Sequence, residues 1–338
     1  MVDHNLPPVC DPFIDYEAIQ QEVHASLDHP WRRLVILVGL GGVGKTRLAV
    51  TVARSRLHRH PHGVWLVELL DIDPNACNAT GAMAGAIAGV LRLPVEAWKR
   101  PVEALLAHLQ DKQMLLVLDN FEHLAKGGAP LLFQILQRCP GVHLLVTSQV
   151  AVRGAPECTV WMRGLGYPAS DEDEQGCEAT DLFIARQAQQ QWQAVSDEDR
   201  RAMGQICRLV EGLPLAIELA AGLTGEATPR EIADKLGEGF DILTTPLRDI
   251  PPRHRSLQAV FESAWRLAPA DLQHCLARLS VFEGGFTAAA ARRVAEAELE
   301  QLAALCDRSL LTVDAATDRY RLHAVVRAYA EAKRSGGG

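Results

Sequence analysis

The chain has 338 residues, of which 34 are Lys or Arg and 42 are Asp or Glu, so its formal net charge is −8. This length predicts two or three domains, and 48% apolar with 22% charged residues is ordinary for a globular protein with a buried core. The negative charge disfavours a dedicated nucleic-acid surface, because phosphate binding needs a positive face. No apolar run approaches the length of a membrane span (about 18 residues), and the N-terminus lacks a signal-peptide pattern. We expect a soluble, cytoplasmic protein without a membrane partner.

Cysteine and histidine usage gives little sign of a metal centre. The eight cysteines are scattered without a C-x-x-C pair, which indicates reduced thiols rather than a disulfide framework or a zinc site. His58, His60 and His62 alternate in a loop and are an alternative metal site. That alternative is disfavoured because no helix places them on one face.

Strand and helix patterns alternate between residues 31 and 163, after a lead-in of residues 1–30. Short apolar runs separated by helical patterns predict a parallel sheet with both faces covered. The predicted strands are 34–38, 64–68, 114–118, 142–146 and a weaker 159–162, and 104–110 and 130–138 are predicted helices.

The strand patterns stop after a linker at residues 164–177. This linker contains the acidic run 171–174, a solvated stretch or, alternatively, a functional acidic patch. Residues 178–250 predict a helical domain, with helices at 181–191, 197–210, 214–223 and 229–236. We expect Asp197 to cap the second of these helices and Pro214 to lie in the first turn of the third.

The last segment, residues 251–334, combines helices with two short β-type runs. The runs 310–313 and 320–322 are joined by a polar turn and followed by a helix from about His323, which is typical of a winged helix. Residues 335–338 are a linker or tail. The predicted fold class is an α/β P-loop NTPase domain with a parallel sheet, followed by an α-helical domain and a winged-helix domain.

A glycine-rich motif between the first predicted strand and a helix carries the strongest functional signal. It fits G-x-x-x-x-G-K-[ST], in which backbone N–H groups and the helix N-terminus hold a phosphate chain. Lys45 is expected to reach the β- and γ-phosphate oxygens, and the Thr46 hydroxyl to ligate Mg²⁺. The expected contacts are Gly39, Gly41, Gly42, Val43, Gly44, Lys45, Thr46 and Arg47.

An apolar strand that ends in Asp119 predicts the second element of this site. At the carboxyl end of a neighbouring strand, Asp119 is expected to hold Mg²⁺ together with Thr46. Asn120 and Glu122 follow, and either side chain is a candidate for polarising an attacking water. Glu122 is the better general base, because an amide does not accept a proton. Lys45, Asp119 and Glu122 are therefore the candidate catalytic residues.

With further motifs, the chain resembles the bacterial STAND ATPases, signal-transduction ATPases related to NB-ARC and AP-ATPase proteins. The motifs that carry the resemblance are 39–49, 115–123, 145–148, 212–216, 252–257, 282–286 and 320–323, in the family's order. The resemblance implies an ATP/ADP- and Mg²⁺-binding switch that is closed with ADP and that opens and self-associates with ATP. It also implies that sensor repeats or an effector domain lie outside this chain.

The resemblance assigns roles to four residues outside the glycine loop. Phe13 and Ile14 would line the adenine pocket, Pro214 would present a flat apolar surface to adenine, and His323 would touch the ADP β-phosphate. The family's Met-His-Asp triplet reads Leu322-His323-Ala324 here. An Arg common after Phe13-Ile14 is also absent.

Gln149 stands where the family commonly has an Arg that reaches the γ-phosphate. An amide donates a hydrogen bond but carries no charge, so we expect at most weak ATP hydrolysis and little preference for ATP over ADP. Arg153 is the alternative cation.

Three functions compete for these motifs. The first is the nucleotide-controlled switch, and the second is a transcription factor whose winged helix binds DNA. From Arg253 onward there are 12 Lys/Arg against 10 Asp/Glu, a thin positive balance, so a nucleic-acid partner is not expected. The third is an ordinary P-loop ATPase or kinase with steady turnover, which the helical and winged domains disfavour.

Overall fold

A computed structural model describes residues 2–8, 16–73, 78–94, 99–152, 158–170, 177–190, 195–245, 255–314 and 316–335. The chain divides into two compact units, Met1–Gly39 with Lys45–Met162, and Leu40–Gly44 with Arg163–Gly338. Phe13, Ile14, Arg153 and the acidic run 171–174 lie outside the described residues. Within the described ranges, no helix combines the length and apolarity needed to cross a bilayer.

The first unit is built on a parallel five-stranded sheet with the order β2-β3-β4-β1-β5. Every residue of β1 and β3 is buried, as expected of strands covered on both faces. All five predicted strands are confirmed. Their bounds are β1 Leu34–Gly39, β2 Val64–Glu68, β3 Met114–Asp119, β4 Val142–Ser148 and β5 Cys158–Met162.

Helices pack against this sheet and complete its core. Met83, Leu105 and Leu131 of three successive helices share one cluster with Ile36 and Leu116 of the sheet. Two other helices contact β1, among other strands. The bounds are α1 Glu17–Asp28, α2 Lys45–Ser55, α3 Ala79–Val90, α4 Pro101–Leu109 and α5 Ala129–Arg138.

The second unit begins with four helices whose starts are set by local chemistry. The predicted cap Asp197 is wrong, because Ser196 caps α7. The Ser196 hydroxyl accepts a hydrogen bond from Asp199 N, and the Asp199 carboxylate accepts one from the Ser196 backbone N–H. Pro214 is the first residue of α8, as predicted. The bounds are α6 Glu178–Gln190, α7 Asp197–Leu209, α8 Pro214–Gly222 and α9 Pro229–Glu238.

The C-terminal part of this unit is a winged helix. Phe286 forms an antiparallel bridge with Tyr320 and stacks on Phe282 at 4.4 Å between ring centroids, which ties the β6–β7 hairpin to the helices. The bounds are α10 Leu257–Leu267, α11 Ala270–Leu279, α12 Ala288–Ala295, α13 Leu299–Asp307, β6 Thr312–Asp314, β7 Arg319–Arg321 and α14 Ala324–Ser335. The predicted fold class is confirmed, with a parallel α/β core followed by helices and a winged helix.

Candidate functional site

The glycine-rich loop joins β1 to α2 in a conformation that requires glycine at two positions. Gly42 and Gly44 have φ of 83° and 93°, in the left-handed region. Val43 N donates to Leu40 O at 3.3 Å, which folds the loop back on itself, and the Val43 side chain is buried. Gly41 is also buried. The turn is therefore set by backbone geometry that side chains at 42 and 44 would oppose.

Lys45, the first residue of α2, carries its ammonium group back over the end of β1. Its Nζ donates to Gly39 O at 2.8 Å. Burial lowers the pKa of Lys45, and the carboxylates of Glu122 and Asp119 act in the opposite direction. A cation at the end of β1, close to two acidic side chains, is the arrangement that a polyphosphate with a divalent metal ion requires.

Asp119 receives two hydroxyl groups at the carboxyl edge of the sheet. The hydroxyls of Thr46 and Thr147 donate to its Oδ1 at 2.7 and 2.5 Å, and Asn120 Nδ2 donates to Oδ2 at 3.2 Å. The residue is 3% exposed. Asn120 has a φ of 62°, and its N–H donates to Thr147 Oγ1 at 3.0 Å. The structure thus brings the two predicted metal ligands, Thr46 and Asp119, into contact.

Gln149 lies directly after β4 and is paired with Glu122. Its side-chain amide donates to Glu122 Oε1 at 3.2 Å, and its backbone N–H lies 3.4 Å from Glu122 Oε2. The candidate base is therefore held by the residue that was expected to face the γ-phosphate. A direct phosphate contact of Gln149 stays a prediction.

The turn between α7 and α8 belongs to the second unit, as do residues Leu40–Gly44 of the glycine loop. Gly212 has a φ of 69°, and a Cβ there would lie 2.0 Å from Leu165 O. The turn also contacts the glycine loop, because Leu215 N donates to Gly42 O at 3.2 Å. A Cβ on Gly42 would approach Leu215 Cβ to 2.9 Å. Pro214 is thereby placed one residue from a contact with the loop.

His323 lies at the other end of this turn, between β7 and α14. In the part of the chain that the structure describes, neither ring nitrogen has a hydrogen-bond partner, although the atoms themselves are shielded from water. The side chain is 19% exposed, and its Nε2 lies 3.9 Å from Glu211 Oε2. Burial lowers the pKa of His323, with Arg321 acting in the same direction and Glu211 in the opposite one.

Thr147, Glu211 and Arg321 were given no individual role from the sequence, although Thr147 and Arg321 lie in the motifs 145–148 and 320–323. Thr147 had a usable signal, because β4 pairs with β3 and ends beside Asp119. Glu211 and Arg321 had none, since their pairing joins residues more than a hundred positions apart. Arg47 is half-buried in the first turn of α2.

The histidine alternative does not assemble. His60 is buried against His143 at 5.4 Å between ring centroids, whereas His62 Nδ1 accepts from Gln113 N at 3.0 Å. No cluster of three or more metal-binding side chains occurs among the described residues. The described cysteines are free thiols: Cys139, Cys158, Cys177, Cys207, Cys275 and Cys306.

In comparison with known proteins, residues 269–334 match a family model described as a winged helix-turn-helix domain. A Mycobacterium tuberculosis protein named as an HTH-type transcriptional regulator is 35% identical over 308 residues, covering 88% of this chain and 33% of the relative. An uncharacterised protein of the same organism is 29% identical over 349 residues, and the match covers 100% of this chain and 85% of that protein. Regulatory protein AfsR of Streptomyces griseus is 30% identical over 315 residues, and the match covers 88% of this chain and 29% of AfsR.

The chain thus spans about a third of the length of the named regulators that it matches. Among solved structures, a STAND protein with a tetratricopeptide repeat sensor from Pyrococcus horikoshii has a TM-score of 0.40 at 13% identity, covering 96% of this chain and 43% of that one. RuvB of Thermotoga maritima has a TM-score of 0.45 at 15% identity, with 92% of each chain covered. The family match and the regulator names speak against the expectation that a nucleic-acid partner is unlikely.

Proposed function

We propose that this chain is a nucleotide-controlled switch of the STAND type, closed with ADP and open and self-associating with ATP. The observation that carries the proposal is the contact of Thr46 with Asp119 beside Lys45, at a glycine loop that only glycine geometry allows. This is the donor set that an Mg²⁺–nucleotide needs: backbone N–H groups, an ammonium group, a hydroxyl and a carboxylate.

Each group has a defined task in this proposal. Lys45 counters the charge of the β- and γ-phosphates, and Thr46 with Asp119 holds the metal ion. Glu122 orients a water, and the hydrogen bond from the Gln149 amide restrains the Glu122 carboxylate in this role. The nucleotide, when bound, supplies the phosphoanhydride and the charge that these groups recognise. We expect weak ATP hydrolysis, because no described cation extends from the end of β4 at Gln149.

The switching part of the proposal is supported by the α7–α8 turn. It touches the glycine loop through Leu215 and lies against His323 through Glu211. An imidazole that is shielded from water, with no described hydrogen-bond partner, leaves polar groups unsatisfied at a cost of about 1–3 kcal/mol. A phosphate oxygen would satisfy one of them. His323 is therefore the candidate sensor of the bound nucleotide.

Replacing Lys45 tests the site and the switch together. We expect Lys45→Ala to abolish nucleotide retention, because the phosphates lose their main counter-charge. The measurements are the nucleotide released from purified protein and the molecular mass by light scattering in ADP and in a non-hydrolysable ATP analogue. Wild type should gain mass only with the analogue, and Lys45→Ala with neither. The exposed Lys126→Ala is the control. Retained nucleotide in Lys45→Ala would place the site elsewhere.

A second candidate is an ATPase-regulated transcription factor whose winged helix binds DNA. The family match at residues 269–334 and the names of the relatives favour it. Against it, α13 lies where a recognition helix would and carries Glu300 and Asp307 but neither Lys nor Arg. A salt-dependent DNA shift assay separates the candidates. Specific binding at physiological salt would favour the transcription factor, and none would favour the switch.

A further inference from the structure

Glu211 has a left-handed backbone conformation, which residues other than glycine seldom adopt. It follows α7, and its φ is 47°, a left-handed conformation that costs a non-glycine residue about 1–2 kcal/mol. Such an outlier persists where surrounding contacts hold it, and it often marks a functional position. Here the neighbouring backbone leaves little freedom, since a Cβ on Gly164 would lie 2.4 Å from Glu211 O. The turn therefore fixes the direction in which the Glu211 side chain leaves the backbone.

Two basic side chains of the winged helix face this carboxylate. Arg321, the last residue of β7, donates through Nη2 to Glu211 Oε1 at 2.7 Å, and its guanidinium also donates to the Tyr167 hydroxyl. His323 Nε2 lies 3.9 Å from the other carboxylate oxygen, beyond hydrogen-bond distance. Arg321 is thus the bonded partner and His323 is a neighbour.

The two cations differ in what they can contribute. Arg321 is charged at any relevant pH, so it forms the ion pair whatever the state of the site. The ring nitrogens of His323 are shielded from water, which favours the neutral imidazole and lowers its pKa. Arg321 occupies the Glu211 carboxylate, so the imidazole is held close to the turn without a hydrogen bond to that carboxylate. The triplet Leu322-His323-Ala324 contains no carboxylate that could position the imidazole, since residue 324 is Ala.

We propose that Glu211 is a positioning residue: its ion pair with Arg321 latches β7 to the α7–α8 turn and so holds His323 in place with or without nucleotide. The proposal rests on the proposed function only in giving His323 a nucleotide to sense. A contact of His323 with a phosphate would add to the latch in the ADP-bound protein alone. The two contributions are therefore separable by experiment.

The shielding of the His323 nitrogens supplies the readout. Diethyl pyrocarbonate modifies exposed, neutral imidazoles, and peptide mass spectrometry follows His323 specifically. The reaction is run at pH 8 on the full chain, both stripped of nucleotide and loaded with ADP. The variants are Glu211→Gln, Arg321→Met and the double variant. Arg319→Met is the matched control, because Arg319 lies on the same strand and donates to Gly285 O instead.

Each single variant should raise the modification rate of His323 about fivefold in both states, as expected for a charge-assisted hydrogen bond at a half-exposed site. The double variant should be no faster than either single variant, and Arg319→Met should match wild type. A wild-type rate in either single variant, or multiplied effects in the double variant, would overturn the latch. His323→Leu should weaken ADP binding.

Folding and nucleotide binding are checked separately. Far-UV circular dichroism and the thermal midpoint show whether each variant is folded. If Glu211→Gln is unfolded, the latch is tested by comparing the His323 modification rates of Arg321→Met and Arg319→Met. Nucleotide retained by Lys45→Ala would refute the proposed function. It would leave the latch standing, because its rates are also measured in nucleotide-free protein.

Discussion

At the residue scale, the hydrogen bonds of Asp119 separate metal binding from folding. Its Oδ1 accepts from the hydroxyls of Thr46 and Thr147, and an amide oxygen has the two lone pairs needed to accept the same two bonds. A metal ion, in contrast, requires the charge. Substitution by Asn should therefore preserve the local structure and remove the metal site.

Asp119→Asn should lower the affinity for Mg-ATP by at least about tenfold and leave metal-free ADP binding nearly unchanged. Calorimetric titration of both nucleotides, with and without Mg²⁺, measures this difference. Asp111→Asn, at an exposed position before β3, is the control. Equal losses for both nucleotides would count against a metal-binding role for Asp119.

Gln149 offers a second test at this scale. A guanidinium at residue 149 would add a cation where wild type has an amide, so Gln149→Arg should raise the affinity for ATP relative to ADP about tenfold. Titration of both nucleotides into wild type and variant gives the ratio. Because the wild-type amide donates to Glu122, an unchanged ratio would show that residue 149 serves Glu122 and not the phosphates.

At the scale of elements, the α7–α8 turn depends on one glycine. Gly212 combines a φ of 69° with a Cβ position 2.0 Å from the Leu165 carbonyl oxygen, so any side chain forces the backbone to move. Leu165 N also donates to Gly212 O at 2.8 Å. The geometry of Glu211 and Pro214, on either side, follows from this residue.

Gly212→Ala should lower the free energy of unfolding by about 1–3 kcal/mol. Gly237→Ala is the matched control, because Gly237 lies within α9 with open space at its Cβ position. That variant should gain about 0.5–1 kcal/mol, since alanine favours a helix. Urea denaturation of both variants provides the comparison, and equal stabilities would show that the turn adapts to a side chain.

Buried His60, which precedes β2, packs against His143 near the start of β4, and this pair has a consequence for pH. Burial lowers the pKa of His60 to about 4, with His143 and Arg56 adding to the effect, and burial also lowers the pKa of His143. In the unfolded chain these two imidazoles bind protons near pH 6.5, whereas in the folded chain they bind them only at lower pH. Stability is therefore complete above about pH 6.5 and is lost as the pH falls towards 4.

Urea denaturation between pH 4.5 and 7.5 should show this loss, with a slope of up to about 1.4 kcal/mol per pH unit for each such histidine. His143→Phe keeps an aromatic ring against His60 and should flatten the slope. His58→Gln, at an exposed position, should not. A slope that is the same in all three proteins would assign the acid sensitivity to other groups.

At the scale of the whole molecule, sequence patterns predicted the strands and the glycine loop, which depend on residues close together in the chain. Short apolar runs identified four strands clearly and β5 more weakly, and the G-x-x-x-x-G-K-T spacing identified the loop that places Lys45 and Thr46. Helix α3 was not singled out, because Gly81, Gly85 and Gly89 lower its helix propensity, although the Asn78 side chain caps it. The pair of Glu211 and Arg321 was beyond reach, because it depends on how two distant turns meet.

The central place of β1 in its sheet has a consequence for synthesis on the ribosome. Leu34 pairs with Leu144 of β4 and Val35 with Cys158 of β5, so both neighbours are translated roughly a hundred residues after β1. At about 5–20 residues per second, this fully apolar strand stays unpaired for seconds or more. In the second unit, α7 meets α9 within a few tens of residues. A translational pause before β4 should therefore reduce the yield of folded protein more than an equal pause after β5.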